Sequence, residues 1–292
     1  MKLKEDNIRI LSPGSLRDLL SLLKEYPNAM MFAGGTHIMQ QLHTNEPESI
    51  PDTVFSLTQI DELTRIRRKE HTIEIGACVP ISRILSLGPN IVPRILIDAM
   101  KQISSPSIRN SATIGGNLCL GSPFSDLIVP LTILDARIEV RSPLIHTWMP
   151  IARFIRTPWK NNLLSGEVCT AVSIPITPAQ IQTYRSLEVI TAPTLSVAKF
   201  AGLAHIYRGT VTDFRMIIGG LDPLFHRNRE IESTGVGRKV PFSPKFIQQF
   251  CDSVKTFVDA CDPGFLPDKY HRKTSIRLCR QFIERVSSHR GV

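Results

Sequence analysis

Residues 108–140 read IRNSATIGGNLCLGSPFSDLIVPLTILDARIEV and contain the glycine pair Gly115-Gly116. Because glycine has no Cβ, such a pair lets the backbone approach a ligand closely and lets neighbouring N–H groups converge on an anion. The apolar run after the pair predicts a helix over 128–134, and the pattern beyond it predicts a strand over 137–142. The stretch therefore predicts a glycine-rich turn suited to a phosphate, followed by a helix and a strand.

A second glycine pair, Gly34-Gly35, stands in FAGGTHIMQQL at residues 32–42. The short apolar strand predicted at 29–32 runs directly into it, and residues 38–42 can open a helix. A phosphate at this turn would meet converging N–H groups and a helix N-terminus. Two such turns could flank one pyrophosphate, although each pair taken alone is also compatible with a plain tight turn. Neither pair has the spacing of a Rossmann or a Walker loop.

Hydrophobic periodicity predicts the remaining elements, and a proline-rich border at 174–178 divides them into two groups. Before the border we expect a helix at 16–26, strands at 54–57 and 72–77, and a helix at 91–104. After it we expect a strand at 184–187, a helix of small residues at 196–204, a strand at 214–219, and helices at 244–260 and 272–287.

The composition is that of a globular protein, since 42% of the 292 residues are hydrophobic. No apolar run approaches the roughly 18 residues needed to cross a bilayer, so no membrane association is expected. Glu5 and Asp6 stand where a secretory signal would have its apolar segment, and we expect a cytoplasmic protein.

The formal charge of +9 is unevenly distributed. Residues 1–174 hold 18 basic and 16 acidic side chains, whereas residues 175–292 hold 17 and 10. Basic residues are not interleaved with aromatic ones, and no DNA-binding motif is present, so nucleic acid is not expected as a partner. The excess of +7 in the C-terminal part could instead meet an acidic protein.

The six cysteines contain no Cys-x-x-Cys pair and no compact Cys/His cluster, so the sequence predicts no metal site on this chain. Buried, reduced thiols are the expectation. The six are Cys78, Cys119, Cys169, Cys251, Cys261 and Cys279.

In their context, the two glycine segments resemble the flavin-binding subunit of molybdenum hydroxylases, the family of xanthine dehydrogenase and carbon monoxide dehydrogenase. The likeness continues through residues 146–175 and 214–232, in the same order along the chain. It is strongest in the block formed by Arg109-Asn110, residues 112–117, Ser122-Pro123 and Ser125-Asp126.

The resemblance implies an α+β fold. Residues 1–176 would form an FAD-binding domain of the PCMH, or vanillyl-alcohol-oxidase-like, type, with subdomains at about 1–57 and 58–176. Residues 177–292 would form a smaller α+β C-terminal domain like that of the CO dehydrogenase flavoprotein. FAD would lie extended between the two subdomains.

The resemblance also implies which residues bind FAD. The backbone of the first glycine turn would hold the pyrophosphate, and the second block would lie near it. Asp126 would accept hydrogen bonds from cofactor hydroxyls or hold its loop, although it could equally cap a helix beginning near Leu127. Cys169 would pack against the flavin ring, and Arg185 would lie near the ring. The implied set is Met30, Met31, Phe32, Ala33, Gly34, Gly35, Thr36, His37, Thr113, Ile114, Gly115, Gly116, Asn117, Asp126, Cys169 and Arg185.

By this resemblance the chain is an electron-transfer subunit of a xanthine dehydrogenase-like enzyme. FAD would accept electrons from iron–sulfur clusters of a partner subunit and pass them to NAD or another acceptor. The substrate would be oxidised on a third subunit that carries molybdopterin. No catalytic side chain is expected here, because the flavin carries the chemistry.

Two alternatives remain open. The first is a self-sufficient flavin-dependent oxidoreductase, for which His205, Tyr207 and His226 are candidate proton donors by residue type. The second is a non-catalytic binding or scaffold subunit whose basic C-terminal part binds an acidic partner or nucleic acid.

The chain departs from the family pattern in two regions. His37 and Leu120 replace residues that the family usually has polar or small. Val189, Pro193 and Thr194 stand where the family commonly has an arginine and Asp-Ile. Because that loop approaches the flavin in relatives, we leave the electron acceptor open.

Overall fold

The computed structural model describes residues 8–43, 52–121, 125–157, 160–161, 163–176, 179–188, 196–219, 227–261 and 269–289. Within these ranges three main sheets follow one another along the chain, with helices packed against them, which confirms the α+β class. The sheets are built from residues 9–56, 66–175 and 181–219. The division into domains at residue 176 stays a prediction.

The first sheet is parallel and comes from the N-terminal elements. These are β1 (Arg9–Leu11), α1 (Leu16–Glu25), β2 (Met30–Phe32), α2 (Thr36–His43) and β3 (Thr53–Ser56). The strand order is β1-β3-β2. Leu16, Leu19 and Leu23 form the apolar stripe of α1 and are buried in one cluster with Phe55. Because α2 begins four residues after β2 ends, the first glycine pair lies between a strand and a helix, as predicted.

The second sheet is antiparallel, with the strand order β4-β5-β10-β6-β7. Four of its helices, α4 to α7, connect α3 with strand β6 and carry the second glycine pair. The elements of this unit are a 3-10 helix (Asp61–Thr64), β4 (Ile66–Arg68), β5 (Thr72–Gly76), α3 (Ile81–Ser86), α4 (Arg94–Gln102), α5 (Pro106–Ser111), α6 (Ile114–Cys119), α7 (Ile128–Ile133), β6 (Arg137–Arg141), β7 (His146–Pro150), α8 (Ile151–Phe154), β8 (Ile155–Thr157), β9 (Lys160–Asn161) and β10 (Val168–Pro175).

The third sheet is covered by apolar residues on both faces. Its unit comprises β11 (Ile181–Glu188), β12 (Ser196–Tyr207), β13 (Thr210–Gly219), α9 (Arg229–Gly235), α10 (Pro244–Ala260) and α11 (Lys269–Ser287). Phe200 and Phe214 pack in the cluster formed with α10 and α11. On the opposite face, Tyr184, Ala201 and Ile217 join the core of the second unit. The third sheet is thus shared between two hydrophobic layers.

The helix predicted at 196–204 is wrong, because these residues lie in strand β12. Alternate residues of the strand enter different apolar layers: Phe200 and Ala204 pack toward α10 and α11, whereas Ala201 and Leu203 join the core that contains α7. A strand buried on both faces loses the alternation of apolar and polar residues. Without that alternation, the small residues of SVAKFAGLA at 196–204 cannot be told from a buried helix by their pattern.

Most other predicted elements are confirmed, with boundaries that shift by a few residues. They are α1, β2, β3, β5, α4, α7, β6, β11, β13, α10 and α11. Among the described helices, none combines the length and apolar composition that a bilayer span requires. All six cysteines are free, and four of them are buried.

A buried carboxylate in strand β6 supports the second glycine segment. Thr170 Oγ1 donates a hydrogen bond to Glu139. The backbone oxygen of Thr170 accepts from Ala77 N at 2.9 Å, and Ala77 O in turn accepts from Gly115 N at 2.9 Å. Glu139 therefore belongs to the framework that positions helix α6.

The pKa of Glu139 lies below its usual value of 4.5. Burial alone would raise this pKa, but hydrogen bonds from Arg141, Thr170 and His146, together with the charge of Arg141, favour the carboxylate more strongly. Because the pKa is lowered in the folded state, the ionised group stabilises the fold above the ordinary carboxyl pKa. That contribution is lost as the pH falls through the folded-state pKa.

We expect Glu139→Gln to lower the free energy of unfolding at pH 7 by about 1–3 kcal/mol, because a neutral amide replaces charge-assisted hydrogen bonds. Its stability should also fall less steeply than that of the wild type between about pH 5 and about pH 3. Urea unfolding at a series of pH values measures both effects. Glu70→Gln, at a side chain that is 86% exposed, is the control. Identical pH slopes for Glu139→Gln and the wild type would contradict the assignment.

Candidate functional site

The two glycine segments touch each other in the folded chain. A Cβ added at Gly34 would lie 2.0 Å from the backbone oxygen of Ser111 and 3.2 Å from Ala112 Cα. Only a residue without a side chain can therefore occupy position 34. The contact seats the turn between β2 and α2 against the residues that lead into helix α6.

The first segment forms a tight turn at the start of helix α2. Gly35 has φ +67°, in the left-handed region that favours glycine, and the ring of Phe32 lies directly over it. The first intrahelical hydrogen bond of the following helix runs from Met39 N to Gly35 O at 2.9 Å. Helical geometry leaves the N–H groups of the first turn, such as those of Thr36 and Ile38, without an acceptor inside the helix. Residues 30–38 are all half-buried, so this N-terminus is close to solvent.

This turn fits a diphosphate. Several backbone N–H groups converge at a helix N-terminus, where the helix dipole favours negative charge. The strand β2, which carries Met30 and Met31, ends at the turn, and its residues would contribute through their backbone. Ala33 and His37 lie on either side of the turn, and His37 belongs to the first turn of α2.

The second segment is the beginning of helix α6, and the prediction of a glycine-rich turn there is wrong. Thr113 is the N-cap residue, and its side chain accepts a hydrogen bond from Gly116 N at 3.1 Å. Thr113 is buried, whereas Gly116 is exposed. The capping threonine starts a helix here even though two of the next three residues are glycines.

The first backbone donors of α6 are used by the protein itself. Ile114 N donates to Val79 O at 3.2 Å, and Gly115 N donates to Ala77 O at 2.9 Å. A Cβ on Gly115 would lie 2.6 Å from that of Ala77, so the helix packs closely on this turn. The predicted pyrophosphate contacts of Ile114 and Gly115 thus compete with hydrogen bonds that hold the fold together. The stronger candidate for anion binding is the first segment.

Asn117 and the residues after it close the loop beyond helix α6. Asn117 Oδ1 accepts hydrogen bonds from Ser125 Oγ and from Leu127 N. Because the oxygen is used, the amide orientation is fixed, and Asn117 Nδ2 makes no hydrogen bond within the described residues. This NH₂ group could therefore donate to a ligand.

Asp126 binds a buried lysine from the third sheet. Lys199 Nζ lies 3.0 Å from Asp126 Oδ1, and only 2% of the lysine side chain is exposed. Tyr184 Oη donates to the backbone oxygen of Asp126 at 3.3 Å. Leu127, not Asp126, is the N-cap residue of α7, and no side chain caps that helix. Of the roles considered for Asp126, helix capping is wrong, and the ion pair supports holding the loop.

Sequence reasoning missed Lys199. The signal was a single charged residue inside the otherwise apolar stretch SVAKFAGLA, but the helix predicted there gave it no definite face. In a strand, residues 199, 201 and 203 share one face, which puts Lys199 on the side of Ala201, toward the second unit.

Arg185 lies on the opposite face of the third sheet. It is the register partner of Phe200, which packs toward α10 and α11, while its neighbour Tyr184 faces the Asp126 loop. Arg185 is exposed and donates to the backbone oxygen of Tyr184 at 3.2 Å. The structure therefore does not bring Arg185 together with the other candidate residues.

Cys169 lies in the core of strand β10, where it contacts a second thiol. A hydrogen bond with Cys119, followed by burial, raises the pKa of Cys169 well above its ordinary value. Burial also raises the pKa of the nearby Cys78 to about 12. The side chain of Cys169 is thus a packing group and not a thiolate nucleophile. Three cysteines that are distant in sequence are neighbours here, yet no group of residues suited to a metal occurs within the described ranges.

Several residues named from the sequence lie outside the described ranges. They are Ser122, Pro123, Val189, Pro193, Thr194 and His226.

Residues 6–177 match the family model described as "FAD binding domain in molybdopterin dehydrogenase", which covers both glycine segments. The chain is 26% identical over 248 residues to the xanthine dehydrogenase FAD-binding subunit of Escherichia coli O157:H7, with 82% of each chain covered. It is 34% identical over 175 residues to the nicotinate dehydrogenase FAD-subunit of Eubacterium barkeri, with 58% of each covered.

A solved structure shares the whole fold. A chain of reconstituted CO dehydrogenase from Oligotropha carboxidovorans matches with a TM-score of 0.83 and 20% sequence identity. The match covers 97% of this chain and 98% of that one. The arrangement of three sheets is therefore common to both chains.

The ion pair between Asp126 and Lys199 can be tested by a double-mutant cycle. Asp126→Asn and Lys199→Met should each lower the free energy of unfolding by about 3–5 kcal/mol, because each removes one half of a pair that is largely out of water. The double variant should cost less than the sum of the two. The pair of Lys69 and Glu74, whose lysine side chain is 59% exposed, is the control and should show a coupling below about 1 kcal/mol. Additive effects of Asp126→Asn and Lys199→Met would show that the pair does not act as a unit.

Proposed function

The chain belongs to the family of FAD-binding domains of molybdopterin dehydrogenases, and we propose that it is the FAD-carrying electron-transfer subunit of a molybdenum hydroxylase complex. The observation that carries the proposal is the first glycine turn, which opens helix α2 at the surface and is seated on Ser111. Family membership says that the chain has an FAD-binding domain, and this turn is its best anion site.

FAD, when bound, supplies the redox chemistry by which electrons are accepted and passed on. The residues of this chain bind and orient it. The N–H groups at the start of α2 would hold the pyrophosphate, with Asn117 Nδ2 as a further donor. Asp126 would accept hydrogen bonds from cofactor hydroxyls, and Lys199 would hold the Asp126 loop in place.

The partners follow from the same proposal. An iron–sulfur subunit would deliver electrons, and a molybdenum-cofactor subunit would oxidise the substrate. The relatives named above are FAD subunits of xanthine and nicotinate dehydrogenases, which supports an oxidoreductase complex of several chains. NAD is one acceptor consistent with the family, and a cytoplasmic location fits such a complex. The charge of +7 in residues 175–292 suits an acidic surface on a partner.

A charge placed at the first turn tests the cofactor site. Thr36→Asp should weaken FAD binding roughly 30-fold to 100-fold, because a carboxylate would stand a few ångströms from the phosphates. The same change should leave or slightly raise the stability of the apoprotein, since an acidic residue at a helix N-terminus interacts favourably with the dipole. Flavin fluorescence titration and thermal unfolding measure the two effects.

Thr36→Asn is the matched control, because asparagine has nearly the same shape as aspartate but no charge. It should retain FAD to within about a few-fold of the wild type. Equal affinities for the Asp and Asn variants would place the pyrophosphate elsewhere.

Co-purification tests the assignment to a complex. When the chain is tagged and purified from its native source, the absorption spectrum should show flavin together with iron–sulfur bands from co-purifying subunits. Full substrate turnover by the isolated chain with flavin alone would instead establish the self-sufficient oxidoreductase. Purified chain that takes up no FAD would favour the scaffold alternative.

A further inference from the structure

Helix α7 is fixed to the third sheet at both of its ends. Asp126 precedes the helix and binds Lys199 of strand β12. Asp135 follows it and binds Arg215 of strand β13, with Nη1 and Oδ2 2.6 Å apart. Leu127 and Leu134, which flank the helix, also have helical backbone angles.

The spacing of the two acids matches the spacing of the two bases. Asp135 stands nine positions after Asp126, which spans about 13 Å at the helical rise. Arg215 pairs in register with Leu203, four residues beyond Lys199, and four residues of a strand also span about 13 Å. The distance between the two acids along α7 therefore matches the distance between the two bases along the third sheet, so both ion pairs can form at once.

Asp135 is the shared anion of a larger cluster. Its other carboxylate oxygen accepts a hydrogen bond from Arg227 Nη1 at 2.8 Å. Arg227 is nearly buried and also binds Glu232, with distances of 2.8 and 3.0 Å. Arg215 has a second acid of its own, Asp213, at 2.8 Å. Each arginine thus has a carboxylate partner of its own in the C-terminal elements that contain the third sheet. Asp135 binds both arginines and so connects them to α7.

The two ion pairs fix the position and angle of α7 on the third sheet, which apolar packing alone does not. The residues between α7 and the sheet are buried and apolar, and such contacts are non-directional, so they tolerate sliding. One ion pair would still allow rotation about a point, whereas two pairs about 13 Å apart fix both position and angle. Asp135 also holds a left-handed backbone conformation, with φ 54°, which aspartate tolerates better than most residues.

We propose that Asp135 is a positioning residue for the FAD site. It fixes the far end of α7 on strand β13, and through α7 it sets how Lys199 meets the Asp126 loop. This inference rests on the proposed function, because Asp126 is assigned there to the cofactor.

Asp135→Asn is the test variant, since asparagine keeps the shape and tolerates the same backbone angles. We expect FAD to bind about 5-fold to 30-fold more weakly and the visible circular dichroism of bound flavin to change. Asp213→Asn is the matched control: it removes an acid from the same Arg215 without affecting the link to α7. It should change FAD affinity less than about 2-fold, and urea unfolding of both variants corrects for any difference in stability.

A coupled variant separates positioning from a general loss of stability. If Asp135 acts through Lys199, then Asp135→Asn should have little further effect on FAD affinity in a Lys199→Met background. Equal losses in Asp135→Asn and Asp213→Asn, or additive effects of Asp135→Asn and Lys199→Met, would overturn the inference. Failure of the wild-type chain to bind FAD would overturn the proposed function itself. Wild-type binding with unchanged affinity in Asp135→Asn would overturn only the positioning role.

Discussion

The candidate site depends on one close backbone contact, in which Gly34 lies against the carbonyl group of Ser111. A Cβ at position 34 would stand 2.0 Å from that oxygen, so any other residue would separate the two segments. Because Gly34 lies between β2 and α2, the contact positions the start of α2. Because Ser111 leads into Thr113, it also ties this turn to helix α6. One glycine thereby connects the first sheet with the helices of the second.

The third sheet takes part in the site as well as in the C-terminal core. Its inner face completes the hydrophobic cluster of the second unit, and that same face carries Lys199 and Arg215. A buried lysine is stable only where opposite charge is at hand, and Asp126 supplies it. The pairing explains why a charged residue stands in the middle of an apolar strand. It also makes the Asp126 loop depend on residues far away in sequence.

Local patterns were sufficient for part of this description. The strand, glycine pair and helix at 29–42 could be predicted because each element has its own signal in adjacent residues. The second glycine pair could not be assigned correctly, since its role depends on hydrogen bonds to Ala77 and Val79, which lie more than 30 residues away. Strand β12 was mistaken for a helix because both of its faces are buried. With that error, Lys199 has no definite face in the sequence and is missed.

The central claim is that the N-terminus of α2, and not that of α6, binds the pyrophosphate of FAD. Backbone amide chemical shifts of ¹⁵N-labelled protein, recorded with and without FAD, test it directly. We predict the largest changes at residues 34–38, and small changes at Ile114 and Gly115, whose N–H groups are bonded to the protein. The largest changes at residues 114 and 115, with little change at 34–38, would contradict the account.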